Sequence, residues 1–164
     1  MRANRVNLSA LSAVLLAGVL SLAQQASAQG QYQAEVVRIL DGDTVEVLTA
    51  SRSTQRVRLA NIDAPERRQA FGEKSRQALA AMAFRQTVTV VDQGGDRYGR
   101  VIGVLLKDGR DLNAEMVKQG MAWVYTRYNN NPALPALERQ ARAARLGLWA
   151  DHAPVAPWEF RRAR

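Results

Sequence analysis

The sequence predicts an α+β fold, mainly β: a five-stranded OB-fold Greek-key barrel with about three helices packed against it. Three observations predict it. Five short β-branched runs are separated by tight turn signals. A stretch of strong helix formers interrupts them between the third and fourth runs, and helical periodicity takes over after the fifth.

The elements follow in order. Glu35 to Leu40 (EVVRIL) and Thr44 to Leu48 (TVEVL) flank Asp41-Gly42, a turn signal, and read as a hairpin. Arg56 to Ile62 (RVRLANI) begins by alternating basic and apolar residues, which puts Val57 and Leu59 on one face of a third strand and Arg56 and Arg58 on the other. Asp63-Ala-Pro-Glu66 ends that strand, because Pro65 has no N–H to donate and restrains its predecessor; a charged loop, Arg67 to Gln69, follows.

Gly72 to Phe84 is rich in Ala, Leu, Met, Gln, Arg and Lys, and predicts a helix with Leu79, Met82 and Ala83 on its inner face. Thr87 to Val91 and Val101 to Leu106 are strands joined by the loop Asp92 to Arg100, with Asp108-Gly109 as the next turn. Leu112 to Gln119 reads as a short helix with Leu112, Met116 and Val117 inward, stopped by Gly120.

The last expected helix starts near Pro132, runs towards Arg145 and ends before Gly147, with Leu134, Leu137 and Ala141 inward. Glu138 and Arg142 form an i, i+4 pair assigned to its outer side. The tail holds Pro154, Pro157, Trp158, Phe160 and Arg161 and reads as an extended segment; the chain shows no internal repeat and no low-complexity linker.

The N-terminus carries a different signal. Arg2 and Arg5 precede an uncharged apolar stretch from Leu8 to Ala23, followed by the small triplet Ala26-Ser27-Ala28. These are the three parts of a secretory signal peptide cleaved after Ala28, and the apolar stretch is too short to span a membrane as a helix. The expected organisation is therefore a signal peptide at 1–28, one domain at 29–150 and a Pro/Trp/Arg tail at 151–164, in an exported protein, periplasmic or secreted, with no membrane attachment after cleavage. A mature chain of that size buries enough apolar surface to fold without disulfide staples.

Composition narrows the chemistry. The chain has 164 residues, no cysteine and one histidine, which excludes disulfide frameworks, thiolate metal sites, cysteine nucleophiles and mechanisms needing two imidazoles. Lys plus Arg number 23 against 15 Asp plus Glu, and all but three of the basic residues are Arg. Arginine stays charged and forks onto phosphate oxygens, so a polyanionic partner is the reading; base composition of the genome is the bland alternative. His152, in the tail, reads as a surface residue, and Arg139, Arg142 and Arg145 as a solvated helix face.

Four local groups stand at strand ends or in adjoining loops: Asp41-Gly-Asp-Thr44, Arg58, Asp63-Ala-Pro-Glu66 and Asp96-Arg-Tyr-Gly-Arg100. Singly, each is an ordinary turn or polar connection. Together, as ILDGDTVEV, RVRLANIDAPE, DRYGRVIGVLL, LNAEMVKQGMAWVY and ARLGLWA, they resemble the staphylococcal (micrococcal) nuclease family of phosphodiesterases over about residues 35 to 150.

The resemblance implies that Asp43 and Asp63, with the backbone carbonyl of Ala64, bind Ca²⁺; hard oxygen ligands suit that ion, and the sequence offers no thiolate. Asp41 is the turn residue. The resemblance further implies that Glu66 activates or orients the attacking water, and an outer carboxylate that only positions a metal-bound water is the alternative. Arg58 and Arg100 match the two arginines that grip the scissile phosphate, where in-line attack builds negative charge on equatorial oxygens. Arginine is too weak an acid to protonate the leaving group readily, so that role stays open.

Arg97 and Tyr98 match residues that contact a neighbouring phosphate. Tyr125 and Tyr128 fall where family tyrosines flank the base, with Thr126 at a position where the best-known member has tyrosine. Trp123 and Trp149 read as packing. The loop after Glu66 is shorter than in that member. The expected activity is a calcium-dependent nuclease, monomeric and without a stable protein partner, hydrolysing DNA and/or RNA with low sequence specificity to leave a 5′-hydroxyl and a 3′-phosphate. The alternative is a non-catalytic OB-fold nucleic-acid-binding module, which would be expected to lack one or more of Asp43, Asp63, Glu66, Arg58 and Arg100.

Overall fold

In the computed structural model, residues 30–163 are described; the signal peptide expected at 1–28 lies outside them. Five strands close the barrel: β1 (Gln31–Ile39), β2 (Thr44–Thr49), β3 (Thr54–Leu59), β5 (Thr87–Gly95) and β6 (Val101–Lys107). Antiparallel pairs link β3 to β2, β2 to β1, β1 to β5 and β5 to β6, and β6 lies parallel to β3 with Val57 opposite Val101, so the ring closes.

Alternation fills the inside. Val36, Val45, Val47, Val57, Leu59, Val88, Val90 and Leu105 are fully or almost fully buried, each two residues from the next inward position on its own strand, as a pleated strand requires. The expected barrel, α+β and mainly sheet, is the one observed.

The third strand is shorter than the expected Arg56 to Ile62. Asn61 takes φ +69°, a left-handed kink that Asn tolerates better than most residues, and the chain leaves the barrel there. Ile62–Asp63 becomes a separate two-residue strand, β4, paired antiparallel with β8 (Trp123–Val124). This small second sheet is absent from the pattern reading because two-residue strands carry no periodicity. A further two-residue strand, β7 (Arg110–Asp111), pairs with the end of β6.

The helices match closely in place. α1 spans Gly72–Ala83, α2 Leu112–Lys118 and α3 Leu134–Ala143. Asp111 caps α2 by accepting from the Ala114 N–H at 2.9 Å. Buried Asn113 of α2 donates to the Ala60 and Gly103 carbonyls at 3.0 and 3.1 Å and accepts from the Leu105 N–H at 3.2 Å, which ties α2 to the end of the barrel where β3 and β6 meet.

Two expectations need correction. Glu138 is turned inward, with its side chain only 15% exposed, and accepts from the Val124 N–H at 3.0 Å while pairing with Arg142 at 3.4 Å; the unpaired amide of β8 draws it in. The tail is not extended throughout. After a 3₁₀ turn at Gly147–Ala150, residues Pro157–Arg162 form a fourth helix, α4, with Pro157 in its first turn, where a missing N–H costs nothing.

Candidate active site

The β1–β2 turn carries the first carboxylates. Asp41 accepts from the Asp43 N–H at 3.0 Å, an Asx turn that makes it the turn residue. Burial and the neighbouring Asp43 carboxylate push the Asp41 pKa up to about 7. A Cβ on Gly42 would lie 1.9 Å from the Ser75 Oγ and 2.8 Å from the Ala64 Cβ. Glycine is required there because the turn presses on α1, whose buried Ser75 donates to the Met121 carbonyl at 2.6 Å.

Asp43 is buried and accepts from the Ala64 N–H at 2.6 Å and the Thr44 hydroxyl at 3.1 Å. That amide bond joins the first motif to the third. Arg58, at the end of β3, lies between them. Its Nη1 donates to the Leu59 and Ile62 carbonyls at 2.7 and 2.9 Å, and its Nη2 reaches Asp63 Oδ1 at 3.0 Å and Asp43 Oδ2 at 3.2 Å. The Arg58 side chain is 13% exposed, so it acts as the internal counter-ion of both aspartates, and its place beside them depends on the Asn61 kink that swings Ile62 and Asp63 back towards β3.

Asp63 is 1% exposed. Burial pushes its carboxyl pKa up, and hydrogen bonds from Arg161 pull it back. Both Asp63 oxygens accept from Arg161, at 2.7 Å from Nη2 and 3.2 Å from Nη1, and the same Nη1 lies 2.7 Å from Glu66 Oε1. Glu66 sits on the β4–α1 loop, held by its own N–H donating to Gln69 Oε1 at 3.1 Å. Gln69 in turn donates to the Val155 carbonyl at 2.6 Å, so the tail and this loop are tied together.

Arg100 precedes β6. Because β6 runs parallel to β3 with Arg58 opposite Ile102, Arg100 enters two residues before the level of Arg58, about 7 Å along the strand at the usual rise. Asp96 aims it: Oδ1 accepts from the Arg100 N–H at 3.0 Å, and Oδ2 lies 2.8 Å from Nε and 2.7 Å from Nη2. In the same turn Arg97 donates to the Tyr98 hydroxyl at 2.7 Å, and Tyr98 is 67% exposed. Arg97 and Tyr98 are thus exposed on the β5–β6 turn, with the half-buried Arg100 beside them.

The aromatic segment follows β8. Tyr125 meets Tyr128 edge-on at 4.8 Å, and Tyr128 is exposed. Tyr125 is also stacked on Trp158 of α4, with ring centres 5.5 Å apart and planes 4° from parallel. Trp123 and Trp149 meet edge-on at 4.5 Å, with Arg142 lying 3.7 Å from the centre of the Trp149 ring, and are packing residues as expected.

The structure therefore gathers Asp43, Arg58, Asp63, Ala64 and Glu66 into one bonded cluster, with Arg97, Tyr98 and Arg100 on a neighbouring turn. Sequence reasoning missed Arg161 and Trp158. A signal was available: Pro157 followed by Trp158 and Arg161 at i, i+3 spacing suits one face of a short helix.

Among the described residues no three His, Cys, Asp or Glu side chains are gathered to hold one metal ion. A hard cation would take Asp43, Asp63, a carbonyl such as that of Ala64, and water, a donor set that fits Ca²⁺. The cluster already holds cations, since the guanidinium groups of Arg58 and Arg161 lie on these carboxylates.

Comparison with known proteins identifies the family of this chain. The family model for the staphylococcal nuclease homologue matches residues 56–151. The chain is 48% identical to a micrococcal nuclease of Shigella flexneri, covering 95% of this chain and 94% of that one. It is 47% identical to Protein ParB of Escherichia coli over 82% of each chain, and 49% identical to an uncharacterized endonuclease of Escherichia coli over 77% of this chain and 82% of that one. With the barrel, the paired aspartates and the arginine-bearing turn all in place, the chain belongs to the staphylococcal nuclease family and is a nuclease.

Proposed function

We propose that the protein is an exported, calcium-dependent endonuclease that acts as a monomer on DNA and RNA with low sequence specificity. The observation that carries this reading is the cluster in which the buried Asp43 and Asp63 share one partly buried arginine, Arg58, while the more exposed Glu66 joins them through Arg161. Export is supported by the tripartite leader at 1–28. Among the described residues, no helix is long and apolar enough to cross a membrane.

Bound Ca²⁺ would supply positive charge to polarise the scissile phosphate and lower the pKa of a bound water. Asp43, Asp63 and the Ala64 carbonyl would hold it. The chain's own groups do the remainder. Arg100, oriented by Asp96, grips a phosphate oxygen and offsets charge as the phosphorus gains its fifth oxygen. Arg97 and Tyr98 hold the neighbouring phosphate. Glu66, 37% exposed at its side chain, is accessible to water and accepts its proton. Arg58, bonded to both aspartates, keeps them together and is the second arginine given to the scissile phosphate. Tyr125 and Tyr128 flank a base.

Degradation of single-stranded DNA, with Ca²⁺ and with a chelator, tests this. Calcium-dependent cleavage is expected, falling at least about 10²-fold in Glu66→Gln, as loss of a general base requires. Tight binding without cleavage under both conditions would assign the domain as a non-catalytic nucleic-acid-binding module.

A further inference from the structure

One arginine from the far end of the chain closes the cluster. Arg161 spends its guanidinium on three carboxylate oxygens: both of Asp63 and one of Glu66. Those are the groups that the family reading gives to the metal and to the attacking water. The contact is two-pronged on Asp63, charge-assisted and partly shielded from solvent, the type of ion pair that holds best. It keeps two carboxylates together that repel each other in the absence of a cation.

The same helix covers a second part of the site. Trp158, one turn before Arg161, lies parallel to Tyr125 in an offset stack, with ring centres 5.5 Å apart, and edge-on against Trp123. A ring lying parallel to Tyr125 and offset from it covers part of the face on which a nucleobase would stack. Both contacts come from six residues, Pro157–Arg162, a length too short to be a stable helix without its packing partners. Ala156 and Pro157 are buried and the Gln69–Val155 bond fixes the approach, while Ala153–Ala156 belongs to no helix or strand except a bend at its start.

We infer that Arg161 is a positioning residue that stands in for the divalent cation: it holds Asp63 and Glu66 in place until a cation displaces it, and α4 withdraws Trp158 from Tyr125 as it leaves. The inference rests on the proposed calcium site. Its consequence is competition. A cation must displace a covalently tethered guanidinium, so the measured calcium affinity is the intrinsic affinity reduced by the fraction of molecules in which Arg161 is released. Nucleic acid, by competing with Trp158 for Tyr125, favours the released state and thereby tightens calcium binding, as linkage demands.

Calorimetric titration of the purified protein with CaCl₂ tests this without reference to turnover. Arg161→Gln is expected to bind Ca²⁺ at least about tenfold more tightly than the wild type, Arg161→Lys to fall between them, and Arg162→Gln, an equal charge change one residue away, to match the wild type. Tryptophan fluorescence is expected to change on calcium addition in the wild type and to lose that change in Trp158→Phe. Equal calcium affinity in the wild type, Arg161→Gln and Arg161→Lys would overturn the inference and leave the calcium site standing. Weaker binding in Arg161→Gln and Arg161→Lys would overturn it as well, by making Arg161 a support of the site. Absence of calcium binding in every variant would overturn the metal reading itself, and this inference with it.

Discussion

Asp96 shows how one carboxylate aims a neighbour, Arg100, that the proposed function gives to the phosphate. Its partial burial is the largest single influence and acts to raise its pKa, but the N–H of Arg100, the Arg100 guanidinium and the N–H of Tyr98 together hold it below the ordinary carboxylate value. A carboxyl depressed in the folded state adds stability above its unfolded pKa, near 3.8, and loses that contribution as pH falls through the folded value. Urea denaturation should therefore find Asp96→Asn less stable than the wild type at pH 6, with the gap closing towards pH 3. At neutral pH the same variant leaves Arg100 unaimed, and kcat/KM is expected to fall about tenfold, the scale of loss when a positioning contact goes and the group shifts by a fraction of an ångström. An unchanged kcat/KM would place Arg100 away from the phosphate. This residue-level detail was only half legible in the sequence: Asp96 and Arg100 stand in one motif, but nothing in the spacing says that the pair bond each other across the turn. Alternation placed Arg58 on the face of β3 opposite Val57, and only the resemblance of RVRLANIDAPE to the family singled it out as a site residue. Its two bonds to backbone carbonyls were not legible, because they depend on the Asn61 kink.

At the scale of elements, the sequence located what periodicity marks and missed what meeting points decide. The five barrel strands and three longer helices carry alternation or 3.6-residue spacing, so their places could be read directly. β4, β8 and α4 are two to six residues long and exist because neighbours hold them. The contact of Gly120 with Gly147 is of the same kind. Both glycines were legible as helix stops, and they do terminate α2 and follow α3, yet their mutual contact was not legible. Gly120 has φ +67°, and a Cβ there would lie 2.2 Å from the Leu146 carbonyl oxygen; a Cβ on Gly147, at φ +53°, would lie 2.2 Å from the Gly120 carbonyl oxygen. The Leu148 N–H donates to that same Gly120 carbonyl at 2.9 Å. Two backbones thus cross in contact, and this crossing sets the 3₁₀ turn that buries Trp149 and starts the tail on its path to the site. Gly120→Ala combines left-handed strain with a backbone clash, so a loss of about 2–4 kcal/mol is expected in urea denaturation. A loss below about 1 kcal/mol would mean that the two segments separate easily, and that the position of α4 depends on the tail's own contacts with the body.

For the whole molecule, charge and shape act together. The chain carries a formal net charge of +8, which attracts any polyanion, but attraction alone gives no groove. The barrel supplies direction by setting β6 parallel to β3, so that the basic turn at Arg97–Arg100 leads towards the carboxylate cluster at the end of β3. A nucleic acid strand held on that turn is therefore bound through its phosphates, and each phosphate neutralised releases condensed counterions. For a single strand the logarithm of the binding constant falls with the logarithm of salt at about 0.7 per contact. With about three contacts the slope is about −2, so raising NaCl fourfold weakens binding about twentyfold. Fluorescence anisotropy with a short single-stranded oligonucleotide in chelator, where cleavage is suppressed, measures that slope. Arg97→Ala should reduce it by about 0.7, whereas Arg139→Ala, on the outer part of α3, should leave it unchanged. If both substitutions reduced the slope equally, the whole basic surface would be acting as a diffuse attractor, and the β5–β6 turn would lose its claim to hold the strand in register with Glu66.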